Sequence, residues 1–288
     1  MSGGGFWLDW VLGFEAALRT GAALPAKPPP APPPPAPGAP KALIFAPHPD
    51  DETITGALPL RLAREAGFAV TDVAVTLGSR EERRAGRREE LDAACRALGF
   101  RLLLPAPEGL SRINPETRRR DACHWAGAVT AIAAVLEAEK PTTIFLPHAE
   151  DWNSTHVGVH HLVADALGLL PGFACVVVET EYWRPMAAPN LLVESSASDV
   201  ARLVGALALH AGEVARNPYH LRLPAWMMDN VRRGAELVGG QGVAAPAATF
   251  ATLYRLHAWT GGGWRQVLPR GRVIGAADSL AGLFPAMS

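Results

Sequence analysis

Between residues 41 and 180 the chain alternates short apolar runs with longer amphipathic ones, and this rhythm restricts the fold more than any other feature. The short runs fall at 42–46, 69–77, 101–104, 142–146 and 174–180. They are apolar at nearly every position, as strands are when both faces of their sheet are covered. Between them, Leu91, Ala94, Cys95 and Leu98 share one face of a helix expected over 86–98, with Gly99 as its stop. Trp125, Val129, Ile132 and Leu136 do the same over 121–138, and Pro141 follows the end. Strand–helix alternation of this kind predicts an α/β fold, a Rossmann-like, mostly parallel sheet with helices on both faces. After residue 195 the rhythm fades. Two helices are expected, at 199–215 and 224–238, the first with Val200, Leu203, Val204, Leu207 and Val214 as its stripe and the second ended by Gly239-Gly240-Gln241-Gly242. Residues 250–259 read as an edge strand or hairpin arm, so helical and β additions follow the core.

Ahead of this pattern lies a proline-rich tract at 25–40, whose composition excludes helix and ladder pairing and favours an extended spacer. It sets off residues 1–24, where Phe6, Trp7, Trp10, Val11, Phe14 and Leu18 recur at near-helical spacing. That leader is expected to pack on the main body or on a neighbouring subunit, with a peripheral membrane or partner-binding helix as the alternative. The expected organisation is therefore an amphipathic segment (1–24), a linker (25–40) and one domain (41–288). A tryptophan-rich leader on a spacer is also compatible with exchange between subunits of a homo-oligomer.

The formal net charge of −1 shows no basic excess, which argues against a nucleic-acid or anionic-membrane partner but leaves room for a local arginine cluster on a small anionic substrate. Cys95, Cys123 and Cys175 are odd in number and far apart, so neither a disulfide framework nor a cysteine zinc site is expected. Residues 1–24 lack a basic start and carry Asp9 and Glu15 within the apolar stretch, unlike a secretory signal. No uninterrupted apolar run is long enough to span a bilayer. A cytoplasmic location without stable membrane insertion is the expectation.

The sharpest local feature is His48-Pro49-Asp50-Asp51-Glu52, directly after the first core strand. Ligands of parallel α/β sheets bind beyond the carboxyl ends of the strands. Three successive carboxylates repel one another unless a cation or a helix start compensates. One imidazole and one carboxylate make two metal ligands, whereas catalytic zinc takes three and leaves a position for water. A second loop leaves the strand at 142–146 and carries His148, Asn153, His156 and His160. His156 and His160 are four apart and share one face of a helix opening near Thr155, so either can supply the missing ligand.

These residues resemble the PIG-L/LmbE family of zinc-dependent de-N-acetylases. A second element agrees: Arg87-Arg88-Glu89-Glu90, Ala94 and Leu98-Gly99 follow Thr76-Leu77-Gly78, like the family's arginine–glutamate–alanine–leucine–glycine helix. The resemblance covers about 41–170 clearly and the rest loosely. It implies that His48 and Asp51 are metal ligands, that Asp50 is the general base, and that His156, aligned with the end of a His-x-Asp-His motif, is the third ligand. Asn153 and Thr155 stand where many members have the assisting histidine and the aspartate. The activity implied is removal of an N-acetyl group from an N-acetylglucosamine-like sugar conjugate by a metal-bound water. Zn2+ is the cofactor implied, although two nitrogens and one carboxylate also suit Fe2+ or Mn2+. Asn153 can donate to the oxyanion but cannot act as an acid, so His148, His160 and His210 are alternative proton donors facing the substrate.

Arg80, Arg83, Arg84, Arg87 and Arg88 form a basic run. They can be a solvated face paired with Glu81, Glu82, Glu89 and Glu90. Alternatively, Arg80 or Arg87, with Ser79 at the loop, reaches the crevice and binds a phosphate or carboxylate of the substrate. Two other classes compete with the enzyme. One is a metal-binding protein that holds carbohydrate conjugates without useful hydrolysis. The other is a nucleotide-binding protein, which the lack of Gly-x-Gly-x-x-Gly after the first strand disfavours.

Overall fold

The computed structural model describes residues 5–27 and 29–284. Strands β1 (Lys41–Ala46), β2 (Ala69–Ala74), β3 (Arg101–Leu103), β4 (Thr143–Pro147) and β5 (Ala174–Thr180) are parallel and ordered β3-β2-β1-β4-β5. They coincide with the five apolar runs. In β1, Ala42, Ile44 and Ala46 enter one core while Leu43 and Phe45 enter another. Successive side chains of a strand point to opposite faces. A strand covered on both sides favours apolar residues at most positions, and the polar exceptions Thr71 and Asp72 in β2, Thr143 in β4, and Glu179 and Thr180 in β5 are themselves buried.

The helices in chain order are α1 (Gly5–Ala22), α2 (Asp51–Ile54), α3 (Ala57–Glu65), α4 (Glu81–Leu98) and α5 (Pro115–Arg120). After them come α6 (Ala122–Glu139), α7 (Ser154–Gly168), α8 (Ala197–Leu207), α9 (Ala211–Arg216) and α10 (Leu223–Gly234). Buried residues of α3, α4, α8 and α10 build the first core, and those of α6 and α7 build the second. The helix expected from 86 starts earlier, with Glu81 and Glu82 placed where its dipole favours acidic side chains. It stops at Gly99, whose φ of 77° is the left-handed conformation that glycine supplies.

The C-terminal part corrects two expectations. The single helix expected at 199–215 is two, α8 and α9, broken at 208–210. The break carries His210 to a buried hydrogen bond with Glu52, which no continuation of α8 would provide. Residues 250–259 are not at an edge. β7 (Phe250–Thr260) lies inside the sheet, antiparallel to β5 on one side and to β6 (Leu191–Ser195) on the other. It is also a hairpin arm, pairing with β8 (Gly263–Gln266), and β9 (Arg272–Ile274) closes the row beside β6.

α1 is a helix, but none of its described residues is buried, and Phe6, Trp7 and Trp10 stay exposed. The packing on the main body expected for it is therefore slight: Gly21 near Leu221 is its close approach. The proline tract lies along the body, where Arg202 donates to the Pro30 carbonyl (2.8 Å) and Pro32 covers Gly99. Among the described residues no helix is long and apolar enough to cross a membrane.

The chain leaves β1 for β2 on one side, and β4 lies on the other. That reversal opens a crevice at the carboxyl ends of β1 and β4. Both histidine-bearing loops start there.

Candidate active site

The first loop is held in a strained turn. Thr76 donates to the Pro47 carbonyl (2.7 Å) and fixes the end of β1. Asp50 then adopts φ 111° and ψ −25°, a conformation that costs a non-glycine residue about 1–3 kcal/mol. Several bonds compensate. The Asp50 amide donates to Glu52 Oε2 (2.8 Å), Thr53 Oγ1 donates to the Asp50 carbonyl (2.6 Å), and the Arg87 guanidinium donates to the Pro49 carbonyl (3.2 Å). The other oxygen of Glu52 accepts from His210 Nε2 at 2.8 Å, and both side chains are fully buried.

On the second loop, Asn153 caps α7 by accepting from the Thr155 amide (2.9 Å). Asp151 orders the approach by accepting from the Asn153 amide (2.8 Å) and the Trp183 amide (3.1 Å). The first turn of α7 then brings His156, fully buried, against the first loop.

His48, Asp51 and His156 converge. His48 Nδ1 lies 3.2 Å from His156 Nε2, and Asp51 Oδ2 lies 3.4 Å from the first and 3.3 Å from the second. Ligands about 2.0–2.1 Å from a tetrahedral ion are separated by about 3.3–3.4 Å. The donor triangle thus has the edge length of a tetrahedral zinc site, and the nitrogen–nitrogen–oxygen donor set suits zinc, iron(II) or manganese(II). His156 Nδ1 is buried without a hydrogen-bond partner and faces Asp151 Oδ1 at 3.7 Å. A carboxylate behind a ligating histidine is the usual means of fixing its ring. Burial works to raise the Asp51 pKa, but His156 and His48 more than offset it and hold the carboxyl well below its ordinary range. Burial would lower His156, and Asp51 and Asp151 overcome that to raise it.

Asp50 sits beside this triangle and not in it. Its carboxylate accepts from the Tyr219 hydroxyl. Burial and the adjacent Asp51 charge push its pKa up to about 8, against the lowering effect of Tyr219.

These groups open into a cavity of about 760 Å3. His48, Asp50, Asp51, Asn153 and His156 line it together with Ser79, Arg80 and Arg87. The three alternative proton donors do not. His148 Nε2 is tied to the Arg184 carbonyl (2.7 Å), and His160 Nδ1 to the Pro147 carbonyl (3.0 Å). His210 is fully buried behind Glu52. Each imidazole is occupied by a structural bond that turns it from the cavity.

Glu52, read in the sequence only as the last of three successive carboxylates, supports the site through His210, and Tyr219, Asp151 and Glu213 enter the site or its support without having been singled out. Only Asp151 carried a local signal, two residues before the cap Asn153. The basic run makes few of the pairs expected within its own helix: Arg84–Glu81 at 3.8 Å is one, while Arg83 and Arg87 reach Glu213 on α9.

Residues 43–167, from β1 to the end of α7, match the family model of PIG-L, GlcNAc-PI de-N-acetylase. These residues are a PIG-L domain. All three donor residues and Asp50 lie within it, whereas His210, Glu213 and Tyr219 lie beyond the matched segment. No curated protein matches the chain. Solved structures do. A conserved protein from Thermus thermophilus is 20% identical, over 80% of this chain and 98% of that one, with a TM-score of 0.55. The 4-carboxy-2-hydroxymuconate hydratase from Pseudomonas putida is 19% identical, over 75% and 95%, with a TM-score of 0.55. The N,N'-diacetylchitobiose deacetylase from Pyrococcus horikoshii is 17% identical, over 85% and 91%, with a TM-score of 0.55. At these identities the likeness is one of fold. A hydratase and a deacetylase share it, so the reaction of the PIG-L domain has to be argued from its site.

Proposed function

We propose that the chain is a metal-dependent N-deacetylase that removes the acetyl group from an N-acetylglucosamine-like sugar conjugate. The observation that carries this reading is the donor triangle of His48, Asp51 and His156 with a separate carboxylate, Asp50, beside it in the same cavity. A divalent ion held there, zinc by preference, supplies Lewis acidity for the acyl carbonyl and lowers the pKa of water to about 7.

Asp50 is the general base. It is held at a fixed orientation by its strained turn and by Tyr219. Burial and the Asp51 charge raise its pKa in the ion-free site, and a cation bound beside it would lower it again, leaving a carboxylate able to take a proton from water and later give it to the departing amine. Asn153 is the oxyanion donor. Its Oδ1 is committed to the Thr155 amide, which leaves the amide N–H2 pointing away from the cap. Ser79, Arg80 and Arg87 line the part of the cavity where the sugar and its aglycone bind.

Acetate release from N-acetylglucosamine glycosides, measured with and without a strong chelator, tests this reading. Turnover that stops on chelation and returns with zinc is expected. Turnover indifferent to the chelator would exclude the mechanism.

A further inference from the structure

Two tryptophans project from the loops around the metal centre, Trp152 at 74% exposed and Trp183 at 56%. A single exposed apolar side chain is ordinary and needs no explanation. Trp183 is set apart by where it stands and how it is held. It lines the same cavity as the donor triangle, and Trp152 does not.

The backbone that presents Trp183 is fastened on both sides. Before it, the buried Glu181 carboxylate pairs with Arg233 (2.6 Å) and accepts from the Met186 amide (2.6 Å). Tyr182 turns inward: its hydroxyl meets Thr55 Oγ1 at 2.9 Å, and its ring stands edge-on to the ligand His156 with centroids 4.8 Å apart. The Trp183 amide donates to Asp151 Oδ2 (3.1 Å), and the Arg184 carbonyl accepts from His148 Nε2 (2.7 Å). Asp151 is the same carboxylate that faces His156 Nδ1 and accepts from the Asn153 amide. Trp183 thus shares one anchor with a metal ligand and with the oxyanion donor, and its Cα lies one step, about 3.8 Å, from that of the residue packed on the ligand. The loop is tied down while the indole itself is left standing in the cavity.

An indole offers a large flat apolar face at little cost in side-chain entropy. Hydrogen-bonding side chains share the lining with it, among them Asn153, Thr155, Arg216 and Asn217. A purely aliphatic ligand would match a closed apolar pocket better than this mixture. A pyranose ring has a face of C–H groups and a rim of hydroxyls, which is the complement of an apolar plane with polar neighbours.

We propose that Trp183 is the platform on which the sugar ring of the substrate stacks, with the C–H face of the ring on the indole while its acylamino group reaches the metal centre. The word substrate rests on the deacetylase reading, but the contact can be tested without turnover. It makes Trp183 a specificity-determining residue that selects pyranosides over open-chain amides.

Metal-free protein is titrated with three small ligands, and binding is followed by ligand-observed NMR. Methyl N-acetyl-β-glucosaminide has ring and amide, methyl β-glucoside has the ring alone, and N-acetylethanolamine has the amide alone. Trp183→Ala is expected to weaken both glycosides about three- to tenfold, the range of an aromatic stacking contact, and to leave N-acetylethanolamine unchanged. Trp183→Phe, which keeps an aromatic plane, is expected to recover most of the loss. Trp152→Ala, beside the shared anchor but outside the cavity, is expected to match the parent chain. Glycoside binding that is absent from the parent or untouched by Trp183→Ala overturns the proposal. So does an equal loss in Trp152→Ala, or a loss that follows the amide and not the ring. Kinetics on the zinc-loaded enzyme separate the two claims. Trp183→Ala is expected to raise KM for the acetylated glycoside with kcat nearly kept. Acetate release with KM unchanged in that variant leaves the deacetylase reading standing and removes the platform, while Trp183-dependent ring binding without acetate release from the parent does the reverse.

Discussion

Helix α7 contributes to two histidine–carboxylate clusters one turn apart, and they are built to different ends. At His156, three donor atoms from His48, Asp51 and His156 lie 3.2–3.4 Å from one another and face a common point. At His160, the carboxylate of Glu179 stands between two rings, with His160 Nδ1 at 3.5 Å and His257 Nε2 at 3.2 Å. There the cation is already supplied, since Arg255 reaches Glu179 at 3.4 Å. His160 Nδ1 is also satisfied by the Pro147 carbonyl, and its ring lies parallel to Trp264. The first cluster has converging lone pairs and needs a positive charge. The second has its donors and acceptors matched and needs nothing. Sequence spacing treats the two histidines alike; the direction of the ring nitrogens separates them.

The largest effect expected from breaking this contrast is at His156. His156→Ala leaves two donors, and stoichiometric metal, read by elemental analysis after dialysis, should be lost with all acetate release. His160→Gln should keep the metal. Asp50→Asn comes next. It should retain metal, because Asp50 is outside the triangle, and lose about 10²–10⁴-fold in kcat as the base is removed. If Asp50→Asn loses metal as His156→Ala does, the division of labour between the two aspartates is wrong. Behind them, Asp151→Asn should weaken metal affinity by about 10–100-fold, as expected for a carboxylate that orients a ligating ring. A competitive-chelator titration reads that shift.

Much of the molecule that these variants probe was readable from residue order, and the remainder has a physical reason for being hidden. β1 to β5 announce themselves because burial on both faces makes most of their positions apolar. β6 and β9 do not, because Glu194, Ser195 and Arg272 interrupt runs that are already short. The loop from His48 to Asp51 is legible because one turn contains it. Periodicity alone could not choose between His156 and His160, and the family resemblance carried that choice. Tyr219, Glu213 and His210 were beyond reach as they now stand, since each meets its partner across more than a hundred residues or through a break in a helix that the apolar stripe of α8 does not foretell. The arginine run was visible, but its spacing fits a solvated face and a cavity wall equally well until α9 is in place.

The smallest effect expected is also the one that reads the second cluster directly. Burial lowers the His160 pKa below the ordinary value of about 6.5, against the raising effect of Glu179. The folded state therefore favours the neutral ring. As pH falls below about 6.5, the unfolded chain takes up a proton that the folded chain still refuses, so stability contributed by this residue is present above that pH and declines as pH drops toward the native value. His160→Gln removes the titration and one buried hydrogen bond. It should cost about 1 kcal/mol near pH 8, and the gap from the parent chain should narrow as the pH is taken down to about 5.5. His156 runs the other way in metal-free protein. Its raised pKa gives stability that is present below about 6.5 and is lost as pH rises through the native value. Thermal unfolding of the metal-free parent, His160→Gln and His156→Gln across this range should show pH dependences of opposite sign for the two substitutions. The same sign for both would mean that α7 holds its two histidines in one kind of environment.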